Sequence, residues 1–229
     1  MIEATIGQAL GAVKERIARA AERAGRRPQD VLLVAVSKTK SAAAVREAYE
    51  AGQRDFGENY VQELAGKASS LSDLPDLRWH MIGHLQTNKA KQVLKIAHMV
   101  QTVDSVRLAA ELGARAQQAG KRLPVLLEVN VGAEEQKSGV SLHQARDLME
   151  AVGQQEALEL RGLMTVPPFE LDAEQTAPYF RRMAELREEL GGALLLPELS
   201  MGMSHDFEVA IEHGATMVRV GTLVFGSRT

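Results

Sequence analysis

The sequence contains no cysteine among its 229 residues. That absence excludes disulfide bonds, thiolate nucleophiles and metal sites that use cysteine ligands. The N-terminus, Met1-Ile-Glu-Ala4, also lacks a basic segment followed by an apolar one, so no signal peptide is predicted. A cytoplasmic location is the expectation that remains.

Long apolar runs and an excess of one charge are missing too. No run approaches the roughly 20 apolar residues that cross a bilayer, so no membrane association is expected. The formal net charge is −3 with both signs scattered along the chain, and no nucleic acid is therefore expected as a partner. No heptad pattern indicates an oligomer, and a monomer is the expectation.

What the sequence does contain is a regular alternation of short apolar segments and helical patterns. The apolar segments predict strands at 31–37, 54–58, 77–82, 98–103, 123–131, 158–166, 194–199 and 216–220. About eight strand-then-helix units favour an α/β fold, a single (β/α)8 TIM-type barrel domain over residues 1–229. An open doubly wound sheet is the alternative, although its Gly-x-Gly-x-x-Gly fingerprint is absent after the first strand.

The predicted barrel has one gap, because almost nothing follows its last strand. Residues 2–24 carry apolar side chains three or four positions apart, as in an amphipathic helix. We expect this extra N-terminal helix to cover the part of the barrel wall where an outer helix is missing.

Lys38 stands at the end of the first predicted strand, where α/β folds keep their chemistry. The apolar run 31–36 predicts a strand buried on both faces, and Ser41 predicts the start of the next helix. Partial burial lowers the pKa of an amine and makes it a nucleophile. A solvated lysine that merely ends a strand is the alternative.

Small hydroxyl residues and glycines cluster after the last two predicted strands. They lie in the segments Ser200-Met-Gly-Met-Ser204 and Arg219-Val-Gly-Thr222. In a (β/α)8 barrel these two loops commonly bind phosphate through backbone N–H groups, and hydroxyls can add hydrogen bonds. Two ordinary turns are the alternative, but the segments together favour phosphate binding.

A lysine amine, a phosphate site and an arginine at one end of a barrel fit the cofactor pyridoxal 5′-phosphate (PLP). Lys38 would hold the aldehyde as a Schiff base, the two glycine-containing segments would hold the phosphate, and an arginine would face the pyridine nitrogen. This is a match of chemistry between residues and ligand, and the periodicity of the sequence does not show it.

Six segments spread over almost the whole chain carry a family resemblance: Val36-Ser-Lys-Thr-Lys40, Phe56-Gly-Glu-Asn-Tyr60, Trp79-His-Met-Ile-Gly83, Leu85-Gln-Thr-Asn-Lys89, Leu199-Ser-Met-Gly-Met-Ser204 and Met217-Val-Arg-Val-Gly-Thr222. With these segments the sequence resembles the pyridoxal phosphate homeostasis proteins, whose barrel is related to that of alanine racemase. The resemblance implies a (β/α)8 barrel with PLP on Lys38 and with Arg219 near the ring nitrogen. The residues that it implies for phosphate contacts are Ser200, Gly202, Gly221 and Thr222, and those that it implies line the pocket are Asn59 and Met201.

Two features of the chain favour a carrier of the cofactor over an enzyme. The Arg219 guanidinium can only donate a hydrogen bond, which leaves the ring nitrogen unprotonated and the cofactor a weak electron sink. Racemisation also needs a second acid or base, a tyrosine from another domain in the resembling racemase, and none of the three tyrosines here is an obvious substitute. We therefore expect a role in intracellular PLP homeostasis without robust catalysis, with PLP-dependent apoenzymes as possible recipients.

Two enzyme hypotheses stay open at the level of sequence. One is a single-domain, PLP-dependent amino-acid racemase. The other is a phosphosugar-binding barrel in which Lys38 forms a Schiff base with the substrate.

Several other residues carry weaker predictions. His80 and His84 have the spacing of metal ligands on a helix, but a structural or pocket-lining role is favoured and no metal site is predicted. On a continuing strand Lys40 would share a face with Lys38 and could lower its pKa, or it is solvated. Lys137 either reaches the barrel mouth or is a loop lysine, and Trp79 is expected in the core.

Overall fold

The computed structural model describes residues 5–227, so residues 2–4 of the predicted N-terminal helix lie outside the described residues. Eight parallel strands form a closed barrel in chain order, and the last pairs with the first. They are β1 Leu32–Val36, β2 Asp55–Glu58, β3 Arg78–Met81, β4 Met99–Val103, β5 Leu123–Glu128, β6 Leu158–Met164, β7 Glu198–Met203 and β8 Met217–Val220. The predicted barrel is confirmed. The open doubly wound alternative is wrong, because β8 hydrogen-bonds to β1.

Helices cover the outside of the barrel. They are α1 Ile6–Arg23, α2 Ala42–Glu50, α3 Val61–Ser70, α4 Ala90–Leu94, α5 Val106–Gln118, α6 Ala145–Gly153, α7 Ala177–Glu189, α8 Gly192–Leu195, α9 Phe207–Glu212 and α10 Thr222–Phe225. Within residues 5–227, none of them is long and apolar enough to cross a membrane.

The N-terminal helix α1 fills the gap that the sequence left in the barrel wall. Thr5 caps it in a capping box with Gln8, and its buried face carries Leu10, Val13 and Ile17. The helix packs against α9, α10 and α2, which flank the junction of β8 and β1. The helix after β8 is a single turn, so α1 supplies the missing cover, as predicted.

One predicted strand was misplaced. The segment 194–199 reads as a strand because it begins with three leucines, but the structure has a helical turn, α8, followed by β7 at Glu198–Met203. Gly191 and Gly192 both have positive φ, which allows the chain to reverse after α7, and Leu194 is almost fully exposed. A short apolar run does not by itself distinguish a strand from a helical turn.

The apolar core has two parts. The larger one lies between the strands and the helices and includes Phe56 and Trp79, whose ring centroids are 5.9 Å apart. Trp79 is 5% exposed, so its predicted place in the core is confirmed. The smaller part lies inside the barrel and consists of Met99, Leu126, Met164 and Met217, with Leu32 against it. The polar residues inside the barrel extend from beside this cluster toward the carboxyl ends of the strands.

Candidate functional site

Lys38 lies in a turn directly after β1 and is half-buried. The strand ends at Val36, one residue earlier than predicted, and Thr39 adopts a left-handed conformation with φ 66°. Lys38 borders a small cavity of about 70 Å³ whose other side is formed by Gly221 and Thr222. The first and last strands are neighbours in the closed barrel, which is why residues so distant in sequence meet here.

The turn at Thr39 separates Lys40 from Lys38. Lys40 Nζ donates a hydrogen bond to the Ser227 carbonyl at 2.8 Å. The predicted sharing of a strand face by the two lysines is wrong, because the strand does not continue past Val36.

A serine between a strand and a helix commonly caps the helix, and the sequence predicts that a short helix starts at Ser204, but the structure differs there. Helix α9 begins at Phe207, three residues later than Ser204, and Asp206 Oδ1 accepts a hydrogen bond from the Met203 N–H at 2.6 Å. Ser204 is therefore not the helix cap. Its Oγ accepts a hydrogen bond from the Gly221 N–H at 3.2 Å, which joins the segments after β7 and β8. Sequence reasoning missed Ser204 as a site residue, because a serine before a helix is usually a cap.

Gly202 adopts φ +91°, and a Cβ built there would lie 2.6 Å from the Ala210 Cβ and 2.9 Å from the Phe207 Cα. Both the conformation and the space therefore require glycine. This close approach sets how the end of β7 meets α9.

We expect the Gly202→Ala variant to lose roughly 2–4 kcal/mol of unfolding free energy, because backbone strain adds to steric overlap. The Gly120→Ala variant is the matched control: Gly120 also has positive φ, but nothing lies within 4 Å of an added Cβ. It should lose only about 1–2 kcal/mol. Urea unfolding measures both values, and equal losses would contradict the steric argument.

Two residues predicted from the resemblance have side chains that lie away from the barrel mouth. Ser200 is fully buried, and its Oγ donates to Gln101 Oε1 at 2.6 Å and accepts from Arg219 at 2.7 Å. Its hydroxyl is thus engaged with Arg219, which argues against a direct phosphate contact. Met201 is also fully buried and belongs to the larger apolar cluster between strands and helices, so its side chain packs in the core and does not line the pocket.

Arg219 is a buried cation at the centre of the barrel. It is 4% exposed, and besides Ser200 it donates to the Thr165 carbonyl at 2.8 Å. Burial lowers the pKa of Arg219 to about 10, although the negative charges of Asp206 and Glu128 oppose that shift. The guanidinium therefore stays charged at neutral pH.

A chain of hydrogen bonds fixes Arg219 from below. Ser200 Oγ donates to Gln101 Oε1. Gln101 Nε2 donates to His80 Nδ1 at 3.0 Å, and His80 Nε2 lies 2.9 Å from Asp55 Oδ1. Because an amide nitrogen is only a donor, this pattern assigns the His80 proton to Nε2. Burial raises the pKa of Asp55, but hydrogen bonds from Arg78 and His80 outweigh burial and lower this pKa to about 2. The chain of hydrogen bonds therefore ends on an ionised carboxylate.

His80 and His84 do not converge. His80 is the buried link just described, whereas His84 is exposed and its Nδ1 meets Asp104 Oδ2 at 3.1 Å. Among residues 5–227, no three histidine, aspartate or glutamate side chains are grouped as a metal site would require. The two buried hydrogen bonds of His80 give it a structural role in this chain of contacts.

Glu128, at the end of β5, is an acid that the sequence analysis missed. It is 8% exposed, and its Oε2 has no hydrogen-bond partner. Burial raises the pKa of Glu128 to about 7, the charge of Asp104 adds to the rise, and Arg219 opposes it. A lone carboxylate at the end of an apolar strand was the available signal.

The remaining predicted residues lie around the rim. Asn59 is half-buried and borders a separate cavity of about 320 Å³ with Gly83 and His84, which is not the cavity at Lys38. Lys137 Nζ donates to the Pro167 carbonyl at 2.9 Å and pairs with Glu134, so it links two loops.

Comparison with known proteins places the chain among relatives of similar length. The model of the alanine racemase N-terminal domain matches residues 9–229. The pyridoxal phosphate homeostasis protein of Aquifex aeolicus is 47% identical over 96% of both chains. That of Pseudomonas aeruginosa is 48% identical over 98% of this chain and 96% of the relative.

Solved structures agree with the sequence comparison. PipY of Synechococcus elongatus with PLP bound is 40% identical with a TM-score of 0.79, and the match covers 92% of this chain and all of PipY. An alanine racemase of Clostridium difficile shares the fold with a TM-score of 0.71 at 15% identity, and the match covers 98% of this chain and 57% of the racemase.

Proposed function

This chain belongs to the pyridoxal phosphate homeostasis proteins and matches the alanine racemase N-terminal domain, and on that premise we propose that it binds PLP at Lys38. The observation that carries the proposal is one cavity bordered by Lys38 on one side and by Gly221 and Thr222 on the other. The structure of PipY with PLP bound supports it. When bound, PLP would supply an aldehyde, and the Lys38 amine would hold it as a Schiff base formed with loss of water.

The side chains and backbone groups around this cavity fit such a ligand. Thr222 at the cavity and Ser204 beside Gly221 carry hydroxyl groups that can donate to a phosphate. The Gly221 N–H is bound to Ser204 Oγ and holds that serine in place, and Gly202 gives the chain the shape that brings the two together. Arg219 provides a fixed positive charge deeper in the barrel. The buried Glu128 Oε2, which has no partner in the protein, is an acceptor or donor still open to a ligand.

We propose storage, protection or delivery of PLP as the role of this site, without robust catalysis. Arg219 stays protonated and only donates hydrogen bonds, so a ring nitrogen against it stays unprotonated. Hydrogen bonds to Ser200 Oγ and to the Thr165 carbonyl hold the Arg219 side chain in place, so Arg219 does not act as a proton carrier. Such a site holds the cofactor more readily than it activates it.

One observation favours an enzyme as the second candidate. Glu128 has a pKa of about 7 and an oxygen without a partner, so it can hold or release a proton near neutral pH. It is thus a possible second acid or base for a racemase. A racemase assay with alanine and serine decides: multiple turnovers, lost in the Glu128→Gln variant, would replace the carrier proposal.

The experiment that tests the carrier role uses protein loaded with PLP and a PLP-dependent apoenzyme. We expect the apoenzyme to gain activity. If a scavenger of free PLP does not prevent this gain, transfer is direct, and if it does, the protein acts as a buffer. Failure to release any cofactor would contradict both roles. A cytoplasmic monomer is part of the proposal, and sedimentation of the loaded protein tests the monomer.

A further inference from the structure

The turn that carries Lys38 is held in a conformation that its sequence does not favour. The Lys40 N–H donates to the Ser37 carbonyl at 3.0 Å, and Thr39 between them has φ 66°. A β-branched residue rarely adopts this left-handed conformation, because its side chain crowds the backbone. Contacts from outside the turn must therefore hold it.

Helix α3 supplies those contacts on both sides of Lys38. The Ser37 carbonyl accepts a hydrogen bond from Lys67 Nζ at 2.6 Å, and the Thr39 N–H donates to Glu63 Oε2 at 2.7 Å. Lys67 and Glu63 are one helical turn apart and pair with each other at 3.1 Å. The two backbone groups that flank Lys38 are thus fixed by one ion pair.

Glu58 completes this group of side chains on the outer side of the barrel wall. Its Oε1 accepts hydrogen bonds from Lys67 Nζ and from Ser37 Oγ, both at 2.6 Å. Neighbouring Gly57 faces the barrel interior, because a Cβ there would meet Val34 and Ile82, so Glu58 faces α3. We call Ser37, Glu58, Glu63 and Lys67 the outer clamp.

The burial of the outer clamp indicates what it is for. Lys67 is 7% exposed and Glu58 is fully buried, with one carboxylate oxygen lacking a partner. Burial raises the pKa of Glu58, although hydrogen bonds from Lys67 and Ser37 act the other way. A buried ion pair adds little net stability compared with apolar residues. The contribution of the Lys67–Glu58 pair is therefore to the geometry of the turn at Ser37.

We propose that Lys67 and Glu63 are positioning residues that fix the turn at Ser37 and Thr39 and thereby aim the Lys38 side chain at the aldehyde of bound PLP. This inference rests on the proposed function, since it needs a cofactor at Lys38. It assigns a role to two side chains on the outside of the barrel that do not touch the cofactor.

Two measurements test the outer clamp, and both use the whole protein. The first is amide hydrogen exchange of Thr39 without cofactor. In the Glu63→Ala variant, exchange of this amide should be roughly 10-fold or more faster, since its acceptor is lost. The Glu63→Gln variant keeps a carbonyl acceptor and should restore protection.

The second measurement is the rate at which added PLP becomes trapped on Lys38 by borohydride. Glu63→Ala and Lys67→Met should slow it roughly 10- to 100-fold, because small displacements of a reacting group have effects of that size. Glu63→Gln and Lys67→Arg should be less affected, and Lys91→Met, at an exposed lysine on α4, should match the unmodified protein. Glu63→Ala keeps the buried Lys67–Glu58 pair, so it stays informative if Lys67→Met does not fold.

The outcomes separate the two proposals. Wild-type attachment rates in folded Glu63→Ala and Lys67→Met would overturn the outer clamp alone. Unchanged Thr39 exchange in Glu63→Ala would do the same. If the unmodified protein takes up no PLP, the proposed function fails, and with it the role of the clamp toward the cofactor.

Discussion

The Lys38→Ala variant is expected to lose covalent attachment of PLP completely. Lys38 and Lys40 both line the cavity that contains Gly221 and Thr222, but Lys40 Nζ is bound to the Ser227 carbonyl. Alanine at position 38 cannot form the bond to the aldehyde. The near-violet absorption band and the borohydride-trapped adduct should both be absent. Noncovalent PLP should bind more weakly by on the order of tenfold or more, measured by equilibrium dialysis, as every 1.4 kcal/mol changes affinity tenfold.

Two other lysines are the controls for this variant: Lys40, which lines the same cavity, and Lys137, in the loop after β5. Lys40 contacts the Ser227 carbonyl, and Lys137 contacts the Pro167 carbonyl and Glu134. Lys40→Ala and Lys137→Ala should keep the band, because neither amine is the proposed anchor. A band that persists in Lys38→Ala and disappears in one of the controls would move the anchor to that lysine. Because Lys38 lies at the barrel mouth, the variants should unfold at similar temperatures.

The Glu128→Gln variant should change how the stability of the cofactor-free protein depends on pH. The pKa of Glu128 is raised by burial from 4.5 to about 7, so the folded state binds more protons than the unfolded state between these values. The contribution of Glu128 to the free energy of unfolding is therefore largest below pH 4.5 and falls as the pH rises to about 7. Each pKa unit corresponds to about 1.36 kcal/mol, so the loss is at most roughly 3 kcal/mol.

Glutamine cannot ionise, so the variant should be spared this loss. Relative to the unmodified protein, Glu128→Gln should gain stability between pH 5 and pH 8, measured by urea unfolding at both values. Glu135→Gln, at an exposed glutamate in the loop after β5, is the control and should show no such gain. If Glu128→Gln and the unmodified protein change in parallel with pH, Glu128 is not the buried acid described above.

The barrel itself was predictable because its signals are local and repeated. Several strands, such as β1 and β5, are largely apolar runs, and most strands are followed by a helical pattern. Such patterns can be identified without knowledge of the tertiary contacts. The role of α1 followed from a missing partner for β8. The misplaced strand at 194–199 shows the limit of such patterns. Three consecutive leucines predict a buried strand, whereas Leu194 is almost fully exposed.

The site was predictable in its parts and less so in its arrangement. Lys38, Gly221 and Thr222 could be grouped from their positions at strand ends, and the structure brings them around one cavity. Ser200 contacts Arg219 and Met201 packs in the core between strands and helices. Beyond Ser200 the register between β7 and β8 shifts, and Ser204 then reaches Gly221. One extra residue changes which side chains face inward, and no pattern in the sequence marks it.

Glu128 and the outer clamp were missed for a different reason. A glutamate at the end of a strand usually meets solvent, whereas Glu128 is buried and its pKa is changed by the charges of Asp104 and Arg219, which are distant in sequence. Likewise, Lys67 reads as a helix-surface lysine until Ser37 and Glu58 are seen beside it. Such contacts join residues that the sequence separates.

The most direct test of the central claim is the absorption spectrum of the purified protein with PLP before and after borohydride, followed by peptide mass mapping. We expect a near-violet band that borohydride removes, with the reduced adduct on the peptide that contains Lys38. No band after addition of PLP, or an adduct confined to another lysine, would contradict the claim that Lys38 anchors the cofactor. A protein that takes up no PLP would favour the phosphosugar hypothesis.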